Sequence, residues 1–419
     1  MRIAIIGAGI VGVTTAYELA LAGHEVSVFE QRGSVAAEGS FASAGLLASS
    51  SIAPWCGPGV PWRVLRQAFS RQASARLGGV GALAQCPWLW RAWRAGRPAA
   101  LQAHRAAMHR LAQFSRQRLL ELTQALRLEF EQAPGHLMLL RSAAEVQALQ
   151  PLLRLLTEAG VPHELADADR CRVIEPGLNE ALALKAGVYF AQDGVGNCRQ
   201  FAHLLKTEAQ RLGASFFFEA PVQSITPGAP VMLQRVGQSP EAFDAAVLCA
   251  GAAAAPLLAR AGVKLPLRAV HGYSMTAPLR HVDGLAAPGP RAAITDARHR
   301  ISITRLGQRV RVAGVAELGG RPDHLALGSL RLLHRVLDEC FPGAALTQKA
   351  QHWKGARPVL PDGPPVLGAS GAPGVWLNLG HGDHGWTLAC GSARVLAETL
   401  SGREPPLDAT NLTIARLQR

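Results

Sequence analysis

Long apolar runs are missing from this 419-residue chain: no stretch of eighteen apolar residues occurs, so nothing reads as a membrane-spanning helix. The apolar N-terminus is broken by Gly7, Gly9 and Gly12 and lacks a cleavage-like segment, which argues against a signal peptide. Cysteine is sparse. The seven residues, at 56, 86, 171, 198, 249, 340 and 390, show no C-x-x-C pair and no metal-ligand spacing. That pattern excludes a disulfide framework and a metal site, and fits free thiols in a reducing compartment. No nucleophile–base arrangement, paired carboxylates, internal repeat or low-complexity tract stands out. Acidic residues are few, 30 Asp and Glu against 43 Lys and Arg, for a net charge of +13.

That excess is concentrated. Between Trp55 and Phe130 twelve Arg face only Glu121 and Glu129, a local balance of +10, and Trp55, Trp62, Trp88, Trp90 and Trp93 lie in the same segment. Basic residues interleaved with Trp suit a segment lying on an anionic membrane surface. A solvated Arg-rich helical insertion with inward Trp, or contact with RNA, would carry the same composition.

What is present is clearest in the first thirty residues. A β-branched run, Ile3 to Ile6, leads into Gly7, Gly9 and Gly12; a helical apolar pattern follows to Leu19, and a second strand-like run, Val26 to Phe29, ends on Glu30. Gly7 permits the tight strand-to-helix turn, Gly9 lets backbone approach a pyrophosphate, and Gly12 lets the helix lie close to the sheet. The helix N-terminus offers free N–H groups and positive dipole to the phosphates. Gly7, Ala8, Gly9, Ile10, Val11 and Gly12 are thus the expected phosphate grip, with Glu30 and Gln31 at the ribose. An acid at position 30 argues against a 2′-phosphate, leaving FAD or NAD.

At this length the chain predicts two closely connected domains of an α/β protein. Residues 55–130 read as mostly helical, broken by Pro61, Pro87 and Pro98. Strands are expected at 136–140, 161–165, 187–194 (with a turn), 215–225 (as a pair) and 243–251, and helices at 143–160, 198–212 and 325–340. The 301–317 segment reads as a hairpin turning at Gly307-Gln308. The expected partition is discontinuous: 1–85, 135–225, 243–262 and 350–419 form the dinucleotide unit, and 86–134, 226–242 and 263–349 the substrate or cap unit.

Several stretches go further: SFASAGLL (40–47), APWCGPGVPW (53–62), DGVGNCRQF (193–201), LRAVHGYSMT (267–276), ITRLGQRVRVAGVAE (303–317), GARPVLPDGPPVLG (355–368) and LNLGHGDHGWTLACG (377–391). With the opening motif they resemble, nearly end to end, the D-amino-acid dehydrogenase family of FAD-dependent amine oxidoreductases, in the wider group of glycine and sarcosine oxidases. The resemblance implies a glutathione-reductase-type FAD domain, a parallel sheet with helices, joined to a mostly antiparallel α+β substrate domain. It also implies oxidation of a D-amino acid, by hydride transfer from the α-carbon to flavin N5, to an imine that hydrolyses to the 2-oxo acid and ammonia.

A carboxylate-bearing substrate needs a guanidinium fork, and Arg357, restricted by Pro358 and matching the clamp position of glycine oxidase, is the candidate; pairing with Asp362 would make it structural instead. Tyr273 is a candidate second carboxylate partner, and His299 falls where relatives often carry Tyr near the pocket. Arg305 reads as sheet surface. Ser40, Ser43, Ala44, Gly45 and Leu46 match the loop beside the isoalloxazine, Val222 the adenine contact, and Ala250-Gly251 the later strand end that passes the cofactor. Gly382, Asp383, His384, Gly385, Trp386 and Thr387 precede a helical run, Leu388 to Leu400, where relatives stabilise negative charge at flavin N1/O2. The family usually has Thr-Leu at Asp383-His384, so two polar side chains stand next to the expected flavin. Residues 353–368 contain no Cys, so FAD is expected to be non-covalent.

The resemblance implies electron transfer to a respiratory quinone and a cytoplasmic location, the Arg/Trp segment allowing peripheral contact at the inner face of the cell membrane. No metal and no nucleic-acid partner are expected. Three other functions share these features: an O₂-using glycine- or sarcosine-type oxidase, an RNA-modifying flavoprotein, and a flavin-binding subunit of a larger complex.

Overall fold

The computed structural model describes residues 1–54, 74–77, 85–280 and 288–418. Trp55, Cys56, Pro61, Trp62 and the rest of the APWCGPGVPW stretch beyond Pro54 lie outside the described residues.

The opening strand, Arg2–Ile6, pairs in parallel with Glu25–Phe29 on one side and Ala245–Leu248 on the other. Ser215–Phe217 extends the sheet beyond Glu25–Phe29, and Val375–Leu379 and then Val366–Ala369 extend it past Ala245–Leu248; only the last of these pairs is antiparallel. Both faces are covered, which is why these strands read as unbroken apolar runs. On one face the helices Ile10–Leu21, Cys198–Arg211 and Gly385–Leu400 bury Val13, Leu205 and Leu396 against Ile3 and Ile5. On the other, a three-stranded sheet (Val222–Thr226, Val231–Arg235, Glu241–Phe243) and the helix Ala254–Arg260 cover Ala4, Ile6 and Phe29.

The second sheet has ten strands and is mostly antiparallel. Its main path runs Gln351–Val359, Arg268–Pro278, Arg309–Leu318, Ile301–Leu306, Ala293–Asp296, Gln132–Leu140, Ala186–Gly196 and Leu46–Leu47. The hairpin turns at Gly307 (φ +57°), as its sequence predicts. The helix Leu327–Cys340 packs Leu333, Val336 and Leu337 against Met275, Ile303 and Val312 on one face.

Sheet membership departs from the expected partition. Gln132–Leu140, Ala186–Gly196 and Gln351–Val359, expected in the dinucleotide unit, pair into the antiparallel sheet. Val222–Phe243 packs as one piece on the parallel sheet. The helix Pro98–Ala125, expected in the cap, buries Leu119 and Leu122 in the same core as the opening strand. The 187–194 turn is absent: Ala186–Gly196 is a single strand. Alternation along a chain reveals a strand but not its distant partner, and here those partners cross between units.

Candidate flavin and substrate site

A cavity of about 1450 Å³ runs from the opening turn to the mouth of the antiparallel sheet. Drug-sized ligands occupy roughly 300–1,000 Å³, so this one has room for a dinucleotide and a small substrate together.

The nucleotide end is shaped by what its glycines leave out. Gly7 turns the chain at φ +101°, and a Cβ there would lie 2.8 Å from the Cys249 carbonyl oxygen. At Gly12 a Cβ would lie 1.9 Å from the Gly7 carbonyl oxygen, so the helix passes too close for any side chain. Gly9 faces the cavity, with only Ser40 Oγ near, at 3.4 Å. Glu30 is buried, and its carboxylate accepts from Ala8 N–H (2.7 Å) and Arg32 N–H (2.8 Å), fixing the turn from below. Ser40 Oγ accepts from Ile10 N–H at 3.1 Å. Val11 N–H, in the first helical turn, has no intrahelical partner and Val11 lines the cavity. Gln31, Val222, Ala250 and Gly251 line the same end.

Midway, the loop from Ser43 to Leu46 is held by its carbonyls. Arg311 Nη1 donates to Ser43 O (3.0 Å), Thr304 Oγ1 to Ala44 O (2.7 Å), and Gly196 N–H to Gly45 O (2.8 Å). Thr387 Oγ1 accepts from Ala48 N–H at 3.3 Å and donates to Leu46 O at 3.4 Å, tying the loop to the last helix. Arg311 is 8% exposed and its second anchor is Thr276 Oγ1 at 2.9 Å. Burial without a paired acid pulls its guanidinium down to about 10. Sequence reading missed Arg311; its place in ITRLGQRVRVAGVAE resembles an ordinary strand charge, and only the fold shows it reaching the loop.

At the far end Arg357 lies flat over Gly272. A Cβ on Gly272 would meet Nη2 at 2.3 Å and Cζ at 2.4 Å. Nη1 donates to Val315 O at 3.3 Å and pairs with Asp383 Oδ1 at 3.1 Å. The expected alternative partner, Asp362, is engaged elsewhere, by Arg416 Nε at 2.7 Å. His384 Nε2 donates to Ala53 O at 3.0 Å, and burial lowers its pKa from the ordinary histidine value. Trp386 is buried, with Nε1 donating to Gly196 O at 3.1 Å and its ring among Phe130 and Phe201.

Two expected pocket side chains are engaged elsewhere: Tyr273 lines the cavity but not with its phenol, and His299 does not line it. Alternate residues of a strand face opposite ways, and with Gly272 on the Arg357 side, Tyr273 points into the core under the helix Leu327–Cys340. Its hydroxyl donates to Glu317, and burial with that carboxylate pushes its pKa up strongly. His299 pairs through Nδ1 with Asp296 at 2.5 Å, and Asp296 also holds Arg141 at 2.8 Å, a structural network outside the cavity lining. Arg305 sits at the sheet surface as expected, its Nε donating to Gly307 O.

The residues fit a flavin dinucleotide. The glycine cradle, the buried acid at the second strand's end, the backbone-pinned loop and the helix N-terminus at Gly385 all line one continuous cavity that ends at a guanidinium. Fold and site together define a flavoprotein oxidoreductase. The comparisons agree: residues 2–399 match the FAD dependent oxidoreductase (DAO) family, and the chain belongs to it. It is 38% identical over 419 residues to a D-amino acid dehydrogenase of Cereibacter sphaeroides, covering 99% of this chain and 95% of that one. A D-amino acid dehydrogenase of Rhizobium rhizogenes is 35% identical, covering 99% and 100%. The fold is similar to glycine oxidase from Geobacillus kaustophilus (TM-score 0.77, 22% identity, 99% of each chain) and to L-proline dehydrogenase from P. horikoshii (TM-score 0.75, 19% identity, 100% and 98%). The chain is therefore an FAD-dependent enzyme, and the glutathione-reductase-type α/β expectation holds.

Proposed function

We propose that the chain oxidises a D-amino acid at its α-carbon, giving an imine that hydrolyses to the 2-oxo acid and ammonia, with electrons passed on to a quinone-type acceptor. FAD, bound non-covalently, supplies the hydride acceptor. The protein's own part is to bind and orient. Gly7 to Gly12 and Glu30 would hold the dinucleotide, and the Ser43–Leu46 loop and the turn before Gly385 would flank its ring. Arg357 would hold the substrate carboxylate. The single observation that carries this reading is the position of Arg357, with Nε and Nη2 free of hydrogen-bond partners among the described residues and turned along the cavity that begins at the phosphate grip. The full-length likeness to enzymes named D-amino acid dehydrogenase supports the substrate class.

The test follows flavin bleaching under nitrogen with D- and L-amino acids, glycine, sarcosine and D-proline. Reduction by D-amino acids followed by slow reoxidation with O₂ is expected; fast reoxidation would instead indicate an oxidase. Arg357→Ala should raise KM for a carboxylate substrate by about a hundredfold, as loss of a charge-assisted bidentate contact costs roughly 2–3 kcal/mol. An unchanged KM would remove Arg357 from the clamp.

An acceptor in a membrane calls for surface contact. Among the described residues, Trp90 and Trp93 are 55% and 49% exposed on the helix Cys86–Ala95, beside exposed Arg91, Arg94 and Arg97. Trp88 on the same helix is buried, its Nε1 donating to Pro266 O. We propose that this helix rests on the inner face of the cell membrane.

A further inference from the structure

The partner of the guanidinium is the unexplained feature of the site. Asp383 occupies Nη1 of Arg357 and no other cation lies within ion-pair distance of it among the described residues. Both line the cavity. The placement is rigid. The turn Gly382–His384 is fastened to the strand carrying Arg357 by the bridge Val359–His381, and on its other side by the His384–Ala53 hydrogen bond. A guanidinium has two edges able to take a carboxylate. Asp383 sits on Nη1, while Nε and Nη2, packed over the bare Cα of Gly272, have no hydrogen-bond partner among the described residues.

We propose that Asp383 is a specificity-determining residue that receives the cationic amino group of a zwitterionic substrate while the Nε/Nη2 edge of Arg357 receives its carboxylate. This rests on the reading of Arg357 as the clamp. The consequence is discrimination by charge pattern. A ligand with both charges on adjacent carbons satisfies both members of the pair. A bare carboxylate meets a guanidinium whose charge is already offset and leaves Asp383 facing it. The 2-oxo acid product has lost its cation and is of the second kind, so the same pair that holds the substrate favours release of the product. An ammonium–carboxylate contact in the cavity is of the kind that sets selectivity more than overall binding.

The experiment compares wild type, Asp383→Asn, Asp383→Glu and Arg357→Ala as FAD-loaded proteins. Benzoate and pyruvate binding is read from the shift of the flavin absorbance band, and D-alanine from anaerobic half-reduction and steady-state KM. Asp383→Asn should raise the D-alanine KM by about tenfold or more and leave benzoate and pyruvate binding equal or tighter, and Asp383→Glu should recover most of the loss. A D-alanine KM within about twofold of wild type in Asp383→Asn, or a parallel weakening of benzoate, overturns the inference. Arg357→Ala separates the two claims. If it weakens benzoate while Asp383→Asn has no selective effect, the clamp stands and Asp383 is only a structural partner. If it leaves benzoate untouched, the clamp reading itself fails.

Discussion

Gly272 shows how little of a binding residue's environment is written beside it. It stands 85 positions before Arg357 in the chain, yet the strand register brings the two together through the pairing of Arg268–Pro278 with Gln351–Val359. Its φ is not in the left-handed region, so the backbone accepts a Cβ; only the guanidinium does not. A methyl there displaces the movable end of one side chain and leaves the sheet alone. Gly272→Ala is therefore expected to raise KM for a carboxylate substrate by about tenfold or more, with a melting temperature close to wild type, since the atoms displaced are the end of one flexible side chain and not backbone. Steady-state kinetics beside a thermal melt reads both. A fall in stability with KM unchanged would mean that the guanidinium adjusts freely. Arg357 was expected at the pocket from Pro358 beside it and from its match to the clamp position of the resembling family, and it lines the cavity. Tyr273 lies on the same strand as Gly272 and lines the cavity, but it is one residue out of phase, and a period of two sends its phenol to Glu317. His299 is held by Asp296, a buried acid three residues before it, and does not line the cavity.

Elements carry a second consequence, in the stability of the cap. Glu175 ends the short helix Ala168–Ile174, and its buried carboxylate accepts from Arg291 N–H at 2.8 Å. Burial outweighs the backbone N–H groups of Arg291 and Ala292 and pushes its pKa up from 4.5 to about 7. The folded state therefore keeps a proton that the unfolded chain gives up. The associated stabilisation is fully present below pH 4.5 and is lost as pH rises through about 7; the shift corresponds to roughly 3 kcal/mol at most. Glu175→Gln, neutral at every pH, should flatten the fall in melting temperature between about pH 5 and 8 that wild type shows through this group. An unchanged pH profile would mean that the carboxyl ionises without penalty. Local pattern made the elements themselves readable. The strand–glycine–helix opening, the capped helix Ala143–Glu158 and the Gly307 hairpin all follow from periodicity and turn residues. Their grouping did not. Gln132–Leu140 reads the same whether its neighbour is a parallel or an antiparallel strand, and it has one of each.

At the scale of the whole molecule the positive charge divides into two kinds, which composition alone cannot separate. Arg118, from the basic segment, is spent inside the fold: its guanidinium holds the fully buried Glu18 at 2.7 Å and braces the helix Pro98–Ala125 against the opening helix. Arg91, Arg94 and Arg97 remain at the surface with Trp90 and Trp93. No helix among the described residues is long and apolar enough to cross a membrane. Each basic residue near an anionic surface contributes about 1 kcal/mol, and the effect decays within a Debye length of roughly 8 Å at physiological salt. Three such charges and two exposed indoles predict reversible binding rather than stable anchoring. Sedimentation with vesicles of anionic phospholipid should pull down the FAD-loaded protein at low salt and release it at about 0.5 M salt. Vesicles of phosphatidylcholine alone should capture little. Trp90→Ala combined with Trp93→Ala should weaken capture without altering the flavin spectrum, because both side chains project away from the cofactor cavity and line none of it. Equal capture of the double variant would move the contact off this helix, and indifference to lipid charge would leave the surplus arginines serving the fold alone.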